Sequence, residues 1–464
     1  MILDTNEPTV RGRGRSPSLA ALLSFLWPGL GQLYIRKRRA AAAFAVPAVL
    51  VLLLLAYALR RGPAVFAVQL FADRTVGLAA VVILLLVGAW RLAAVVHAFA
   101  GGDQRKTRRV IDRVVVAALA AIIVISHLGS GYYLLTYSDA GSNVFNPNNS
   151  DLLDQATPGP SLGPGQTPQP TETLPAPAAG GRVTILFTGV DSAPGRGEHL
   201  YDSIMVVSYD PTTNSVQMVS VPRDSASFPF YFGGVDSASV KINSIPTYVS
   251  HGWIKSPDSP YLTLVKEVSY LVGIPINYYA VMDLLGFEKM IDTVGGIDVV
   301  NPSVISDGTY DWLDGEPYGF YLAAGPQHLS GKNALAYVRS RHGADNSDYA
   351  RADRQQQVLV ALLHTMAQPS EILALPGLIS TIGSSVTTTF PANKVADYVA
   401  MGQSVPSGNI KQVVLAPPTY SITGITTVTA SSCLLNAKVA ALSIQFFGKD
   451  SLWYGKPTPA NTCP

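Results

Sequence analysis

The chain has 464 residues, 48% of them hydrophobic and only 14% charged, which excludes an ordinary soluble composition and leaves room for more than one structural unit. Its formal net charge of +2 singles out no charged partner, and the C-terminal two thirds hold no dense Lys/Arg run with interleaved aromatics, so a nucleic-acid surface is excluded too. The two cysteines, Cys433 and Cys463, have no His or Cys cluster beside them and suggest no metal site.

Elements are clearest at the N-terminus. The piece "PSLAALLSFLWPGLGQLY", about residues 17–34, is apolar but short and broken by Pro28, Gly29 and Gly31; it reads as re-entrant or interfacial, because a full extra span would export the basic "RGRGR" start. Residues 40–59 are twenty in a row without a charge, about enough to cross a hydrocarbon core of roughly 30 Å. Residues 75–100, interrupted by Arg91, and 114–137, with a lone His127, supply a second and third span. Basic "IRKRRA" and the segment from Gln104 to Arg113 belong on the cytoplasmic side, which puts everything after Tyr137 outside; Arg60 and Arg61 run against that scheme. No small-residue cleavage site follows the first apolar segment, so it is not read as a removable leader.

Residues 138–182 change character, being rich in Pro, Gly, Ser and Thr, and read as a disordered linker with too little apolar surface to fold. The exterior domain is expected over 183–464, where an oxidising compartment permits a disulfide; spacing leaves a cystine and two free thiols equally open.

Within that domain "RVTILFTGV", "SIMVVSYD" and "SVQMVSVP" are short β-branched runs bounded by turn residues, each a buried strand. "PTTNS" reads as a hairpin connection. Helical patterns at 261–272 and 284–294 flank a further strand, "NYYAVMD". The alternation predicts an α/β fold, an α/β/α layered domain with a mixed central sheet behind N-terminal transmembrane helices.

Charged residues collect at the strand ends, where such sheets do their chemistry. Asp191 closes the first strand, Asp202 opens the second, and Arg223 with Asp224 closes the third. Alone, Arg223 and Asp224 fit a surface ion pair of roughly 0 to 1 kcal/mol. A second cluster lies in "LAYVRSRHGADNSDYARADRQQQVLVALLHTMA". There Arg351, Arg354 and Gln355 fall on the face that continues the apolar stripe Val358, Leu359, Leu362 and Met366. Cations in a helix's first turn oppose its dipole unless an anion sits there. Arg339 and Arg341 share a face if "YVRSR" is extended, which is the conformation expected. A solvated, salt-bridged helix start with Asp345, Asp348 and Asp353 is the alternative. Two separated basic clusters, each with carboxylates, instead suggest a phosphate site with a divalent metal, since Arg forks match phosphoryl oxygens and Asp supplies hard ligands to Mg²⁺.

"ILFTGVDSAPG", "YDSIMVVSYDPTTNSVQMVSVPRDS", "KINSI", "GFEKMIDTVGGIDVV", "LAAGPQHLSGKNALAYVRSRH" and "DYARADRQQQVL" resemble, in order, the successive motifs of the LytR-CpsA-Psr family of bacterial cell-wall glycopolymer ligases. The similarity runs from about Val183 to Ala367 and extends more weakly through "TTTFPANKVADYVAMGQSV". It implies a membrane-anchored transferase that moves a phosphorylated glycopolymer from a polyprenyl-pyrophosphate carrier to peptidoglycan, helped by Mg²⁺. Carried over by motif, Asp191 and Asp202 are the metal carboxylates, and Arg223, Lys241, Arg339, Arg341 and Gln355 grip the pyrophosphate. Asp224, Asp348 and Arg351 take charged catalytic positions, with Asp348 the candidate for orienting or deprotonating the acceptor hydroxyl and Arg354 a weaker addition. The family's lipid tunnel would draw its walls from residues 183–190, 216–221 and 358–366. One departure is Leu200, where the family usually has Arg two residues before the second metal Asp; His199 could substitute in part. A polyprenyl-pyrophosphate hydrolase and a lipid-phosphate-binding envelope sensor without turnover are the competing functions.

Overall fold

The computed structural model describes residues 15–60, 62–103, 109–145, 174–191, 200–226, 228–233, 240–342, 347–366, 368, 383, 385–415, 432–433 and 437–457. The chain divides into two compact units, Met1–Phe66 with Asp73–Asp139 and Ala67–Ala72 with Ala140–Pro464.

The N-terminal helices are α1 (Pro17–Leu26), α2 (Leu30–Tyr34), α3 (Arg38–Leu59), α4 (Pro63–Ala72), α5 (Arg74–Ala100) and α6 (Arg109–Val144). Ser16 caps α1 by accepting from the Leu19 N–H, with Pro17 in the first turn. The helix breaks before Gly29, whose φ of +104° is open to glycine at little cost. In the first unit Gln32 is buried, donating to the Ala94 carbonyl at 2.8 Å and accepting from Ser24 Oγ at 2.7 Å. Arg91, the charge within α5, donates to the Phe25 carbonyl at 3.1 Å, which satisfies a cation that hydrocarbon would not. α3, α5 and α6 are each long and apolar enough to cross a membrane. On α3, Leu53 and Leu54 are 61% and 68% exposed, a surface suited to lipid rather than water.

α6 continues to Val144, past the Tyr137 boundary expected for the linker. The first proline after Tyr137 is Pro147, so nothing in that stretch forbids helix, and Asp139 pairs with Arg74 at 3.3 Å. At its far end the expected linker is also structured: Leu174 packs on the domain core and Asn277 Nδ2 donates to the Pro175 carbonyl at 2.8 Å. Residues 146–173 lie outside the described residues, as do Cys463 and the Cys433 side chain, and with them the disulfide question.

The second unit holds strands β1 (Val183–Asp191), β2 (Leu200–Asp210), β3 (Ser215–Ser220), β4 (Ser225–Ala226), β5 (Tyr278–Asp283), β6 (Ile297–Asn301), β7 (Ile305–Asp307), β8 (Phe320–Leu322), β9 (Gly325–Leu329), β10 (Val386–Thr388), β11 (Ile410–Val414) and β12 (Ser432–Cys433). Its helices are α7 (Ile245–Ser250), α8 (Pro260–Val272), α9 (Leu284–Thr293), α10 (Gly331–Arg339), α11 (Asp348–Met366), α12 (Ala392–Ser404) and α13 (Ala437–Phe447). The main sheet has the order β10-β5-β1-β2-β3-β11. β1, β2 and β3 form an antiparallel meander, with Asn214 at φ +45° in the β2–β3 turn, while β5 runs parallel to β1 and β11 parallel to β3. The sheet is therefore mixed, and helices cover both faces.

On one face Leu186, Val190, Val206, Val219 and Val221 meet Leu264, Val265, Val268 and Leu271 of α8 and Val439 and Phe447 of α13 in one buried cluster. On the other, α11 packs on β3 and β11 and α9 on β1 and β5. Gln356 of α11 is almost wholly buried and donates to Ser220 Oγ and the Val413 carbonyl, both at 2.8 Å. Of the apolar strand residues expected to wall a lipid tunnel, Leu186, Val190, Val219 and Val221 thus face α8 and α13, whereas Val358 and Leu362 belong to the opposite layer, toward which Met218 points with Ser220. The reason is strand alternation: Ser220 and Val219 point to opposite faces of the sheet.

Candidate functional site

The C-terminal ends of β1, β3, β5 and β11 and the start of β2 lie along one edge of the sheet. Val190 pairs with Tyr201 and Gly189 with Ser203, so Asp202 is the extra residue of a β-bulge. Bulges re-aim side chains, and here the re-aimed side chain is a carboxylate beside Asp191, the last residue of β1. Asp191 is only 4% exposed. Burying an anion is costly without a compensating charge, and the compensation arrives from two directions.

The first is the segment after β3. Val221 still donates to the Ile204 carbonyl at 2.9 Å, which carries the strand one residue further and sets Arg223 opposite the bulge. Arg223 Nη1 donates to Asp202 Oδ1 at 2.6 Å, and its Nε lies 3.5 Å from Asp224 Oδ2. Asp224 in turn accepts from Lys241 Nζ at 2.5 Å. Backbone contacts hold the two segments together, an Ala226–Lys241 bridge and Asn243 N–H donating to the Arg223 carbonyl at 3.3 Å. Asp202, Arg223, Asp224 and Lys241 thus form an alternating chain of charge, with Arg223 mostly buried and Lys241 half exposed.

The second direction is α10. Ser330 caps it, Ala334, Leu335, Ala336, Tyr337 and Val338 are buried, and Arg339 ends it. The expectation that "YVRSR" is extended is therefore corrected: the chain is helical through Arg339 and becomes extended only at Ser340, with φ −57° and ψ 138°. Ala, Leu and a Ser cap favour helix there, and packing decides it. As a result Arg339 and Arg341 do not act as a strand pair. Arg339 Nη2 lies 3.8 Å from Asp191 Oδ2, its Cζ lies 5.8 Å from the Tyr310 ring centroid, and its Nη1 is buried with no hydrogen-bond partner among the described residues. Arg341 is exposed.

Arg351 is buried in the first turns of α11, at 6% exposure. Arg354, also buried, donates to the Ser340 carbonyl and stacks over Tyr337 at 5.5 Å. Gln355 Nε2 reaches the Val338 carbonyl at 3.4 Å. These two side chains serve the open carbonyls at the end of α10, where cations and donors are favoured, and so fix the turn that carries Arg339. Asp348 opens α11, but its side chain and His199 lie outside the described residues. Leu200 begins β2 opposite Asp191.

The structure thus brings Asp191, Asp202, Arg223, Asp224, Lys241 and Arg339 to one sheet edge. It puts Arg354 and Gln355 behind that group and Arg341 at the surface. Three further residues belong to the surroundings; Tyr310 and Asp307 carried no sequence signal, whereas Asn243 lies within the "KINSI" motif but not among the candidate residues. Tyr310 lies beside Arg339, and burial pushes its hydroxyl pKa up although the Arg339 charge pulls the other way. Asp307, buried, accepts from Ser340 Oγ at 2.8 Å and Thr309 Oγ1 at 3.0 Å. Asn243, also buried, keeps an unpaired Oδ1. Only the folded chain brings their side chains near the site.

Among the described residues no group of three or more His, Cys, Asp or Glu could hold a metal ion. Asp191 and Asp202 offer two hard carboxylates on adjacent strands. That is a donor set for an ion completed by water and phosphate oxygens, as Mg²⁺ usually is, rather than for an all-protein cage.

Residues 164–441 match the LytR_cpsA_psr family. Relatives include the polyisoprenyl-teichoic acid–peptidoglycan teichoic acid transferase TagV of Bacillus subtilis (strain 168), 28% identical over 322 residues that make up 68% of this chain and 72% of TagV. Another is the transferase of the same description, TagU, of Bacillus mycoides (strain KBAB4), 31% identical over 46% of this chain and 62% of TagU. The crystal structure of B. subtilis TagV is 26% identical with a TM-score of 0.45 and covers 58% of this chain and 96% of that one. The family match spans more than half of the 464 residues, and the chain belongs to the LytR_cpsA_psr family.

Proposed function

We propose that this chain is a membrane-anchored phosphotransferase that moves a phosphorylated glycopolymer from a polyprenyl-pyrophosphate carrier onto a peptidoglycan hydroxyl, with the second unit outside the cell membrane. The observation that carries the reading is the convergence of two guanidinium groups, from opposite sides of the chain's folding pattern, on adjacent carboxylates at a bulged strand end. One of them, Arg339, keeps a buried Nη1 donor without a hydrogen-bond partner among the described residues, and such a donor is costly unless a ligand takes it up.

Phosphoryl transfer asks a protein mainly to position groups and to balance charge on phosphoryl oxygens. Arg339 and Arg223 supply forked donors for a diphosphate, and Lys241 a third cation at the rim. Asp191 and Asp202 are the residues to hold Mg²⁺, which supplies Lewis-acid neutralisation of the phosphate charge. Tyr310 packs on the Arg339 guanidinium and limits its rotamers, while Arg354 and Gln355 hold the helix end from which it projects. Asp348 is assigned to orient the acceptor hydroxyl, with Arg351 in the same helix turn. Leu200 leaves this site one cation poorer than the usual family pattern.

The test uses the full chain in detergent with a lipid-diphosphate-linked sugar, Mg²⁺ and peptidoglycan. Sugar phosphate covalently attached to peptidoglycan is the expected product. Sugar phosphate released into water, at a rate indifferent to peptidoglycan, identifies a hydrolase. Saturable binding without turnover, under conditions where TagV reacts, rejects the enzymatic reading.

A further inference from the structure

Next to Arg339 lies a small cavity of about 100 Å³, lined by Leu285 and Glu288 of α9, Tyr310 and Trp312 of the β7–β8 connection, and Lys332 and Leu335 of α10. We infer that this cavity is a saccharide subsite, which seats a neutral sugar ring adjoining the phosphate that Arg339 holds; the inference rests on the proposed function.

Position comes first. Lys332, Leu335 and Arg339 stand at i, i+3 and i+7 on α10, one face of the helix, so a single stripe leads from the cavity to the guanidinium. Tyr310 belongs to both places: it lines the cavity, and its ring centroid is 5.8 Å from Arg339 Cζ.

The platform is rigid. Trp312 Nε1 donates to the Gly319 carbonyl at 3.0 Å, Gly319 N–H donates to the Tyr310 carbonyl at 2.9 Å, and Tyr310, Trp312 and Phe320 pack edge-on or tilted at centroid distances of 4.8 to 5.9 Å. Lys332 Nζ lies over the Trp312 ring, 4.7 Å from its centroid, so the surface left for a sugar is the cavity-facing aromatic rim of Tyr310 and Trp312, held rigid at little entropic cost.

Charge selects the occupant. Glu288 and Asp314 both line the cavity, and Lys332, its cation, is already bound to Asp314 at 2.7 Å and Glu316 at 2.6 Å. The surroundings are therefore net acidic and repel a second phosphate, while carboxylates accept from hydroxyl and amide donors. A ring with one apolar face and several hydroxyls fits this lining. The volume, well below the roughly 300–1,000 Å³ of sites for drug-sized ligands, suits one ring rather than a chain.

The sugar could come from the carrier-linked donor or from the acceptor glycan, and three probes separate the sources on the full chain in detergent. They are farnesyl diphosphate, farnesyl-diphosphate-linked N-acetylglucosamine and a phosphate-free N-acetylglucosamine tetrasaccharide. Trp312→Ala is expected to weaken one sugar-bearing probe at least about tenfold. Glu288→Ala, on a half-exposed position whose loss leaves the fold intact, is expected to weaken the same probe about three- to tenfold. Farnesyl diphosphate affinity should stay within about twofold for both. Loss for the tetrasaccharide assigns the cavity to the acceptor, and loss for the lipid-linked sugar assigns it to the donor. Unchanged sugar binding in Glu288→Ala and in a folded Trp312→Ala overturns the inference. If the wild-type chain binds farnesyl diphosphate but neither sugar gains or adds affinity, the cavity assignment alone fails; if it binds none of the three, the proposed function fails.

Discussion

Arg339→Ala separates a ligand-binding cation from a structural one. Among the described residues Arg339 is loosely paired: Asp191 Oδ2 lies 3.8 Å from its Nη2 and its buried Nη1 has no hydrogen-bond partner. Truncation therefore removes a desolvated donor as well as a long ion pair. Keeping one unsatisfied donor buried costs about 1–3 kcal/mol, which offsets part of the penalty of leaving buried Asp191 one cation poorer, about 3–5 kcal/mol for a close buried pair and less at 3.8 Å, so the loss in folding stability should be below about 3 kcal/mol. A diphosphate, by contrast, loses at least one charge-assisted hydrogen bond, about 1.5–3 kcal/mol, or roughly 10- to 150-fold in Kd. The assay pairs denaturant unfolding of the ligand-free chain with titration of farnesyl diphosphate by calorimetry. A variant destabilised by 3 kcal/mol or more with unaltered diphosphate affinity would refute the argument, because Arg339 would then be a buried structural ion.

Arg223→Ala should show the mixed outcome, about 1–3 kcal/mol of lost stability together with weakened diphosphate binding, since it removes the Arg223 hydrogen bond from Asp202 and leaves Asp224 with Lys241; unfolding and calorimetry on one preparation check this. Gln356→Ala should cost about 1–3 kcal/mol in unfolding experiments by orphaning Ser220 Oγ and the Val413 carbonyl, with diphosphate affinity intact because Gln356 lies behind the sheet edge. His328, bonded to Asp298 Oδ1 at 2.8 Å, should titrate above the usual value of about 6.5 because the Asp298 hydrogen bond favours the imidazolium. Its folded-state pKa is raised, so this pair contributes fully below the unfolded value and is lost as pH rises through the folded one; NMR titration should show Asp298→Asn moving it back down.

Strand and helix periods made most of the fold legible. The runs "VTILFTGV", "SIMVVSYD" and "VQMVSV" are strands because β-branched and sulfur side chains fill both faces of a sheet covered by helices. What the period could not supply was the end of an element: α10 runs one residue into "RSR", and α6 runs past the start of the Pro/Gly-rich stretch, because tertiary packing and the absence of proline decide where a helix stops. In the site, Asp191, Asp202 and Arg223 were readable as charges at strand ends. Tyr310 and Asp307 were not, and Asn243 was readable only as part of a motif, since a residue in a loop or short element acquires its neighbours only through the long-range contacts of the folded chain. The bulge at Asp202 was equally hidden, because one extra residue in a strand leaves no mark on a short apolar pattern.

The two guanidinium groups divide the work unequally, and the pairing shows why. Arg223 is held between Asp202 and Asp224, with Lys241 beyond, so the cluster is close to neutral and rigid before any ligand arrives; an anion there exchanges partners with carboxylates and gains little net energy. Arg339 offers a buried Nη1 for which no described residue is a hydrogen-bond partner. Binding energy should therefore concentrate on Arg339, while Arg223 and its carboxylates set the geometry in which that donor meets phosphate. This division also bears on Leu200: a site whose selectivity rests on one underused guanidinium, backed by a prearranged charge chain, can lose one of the family's usual cations and still hold a diphosphate.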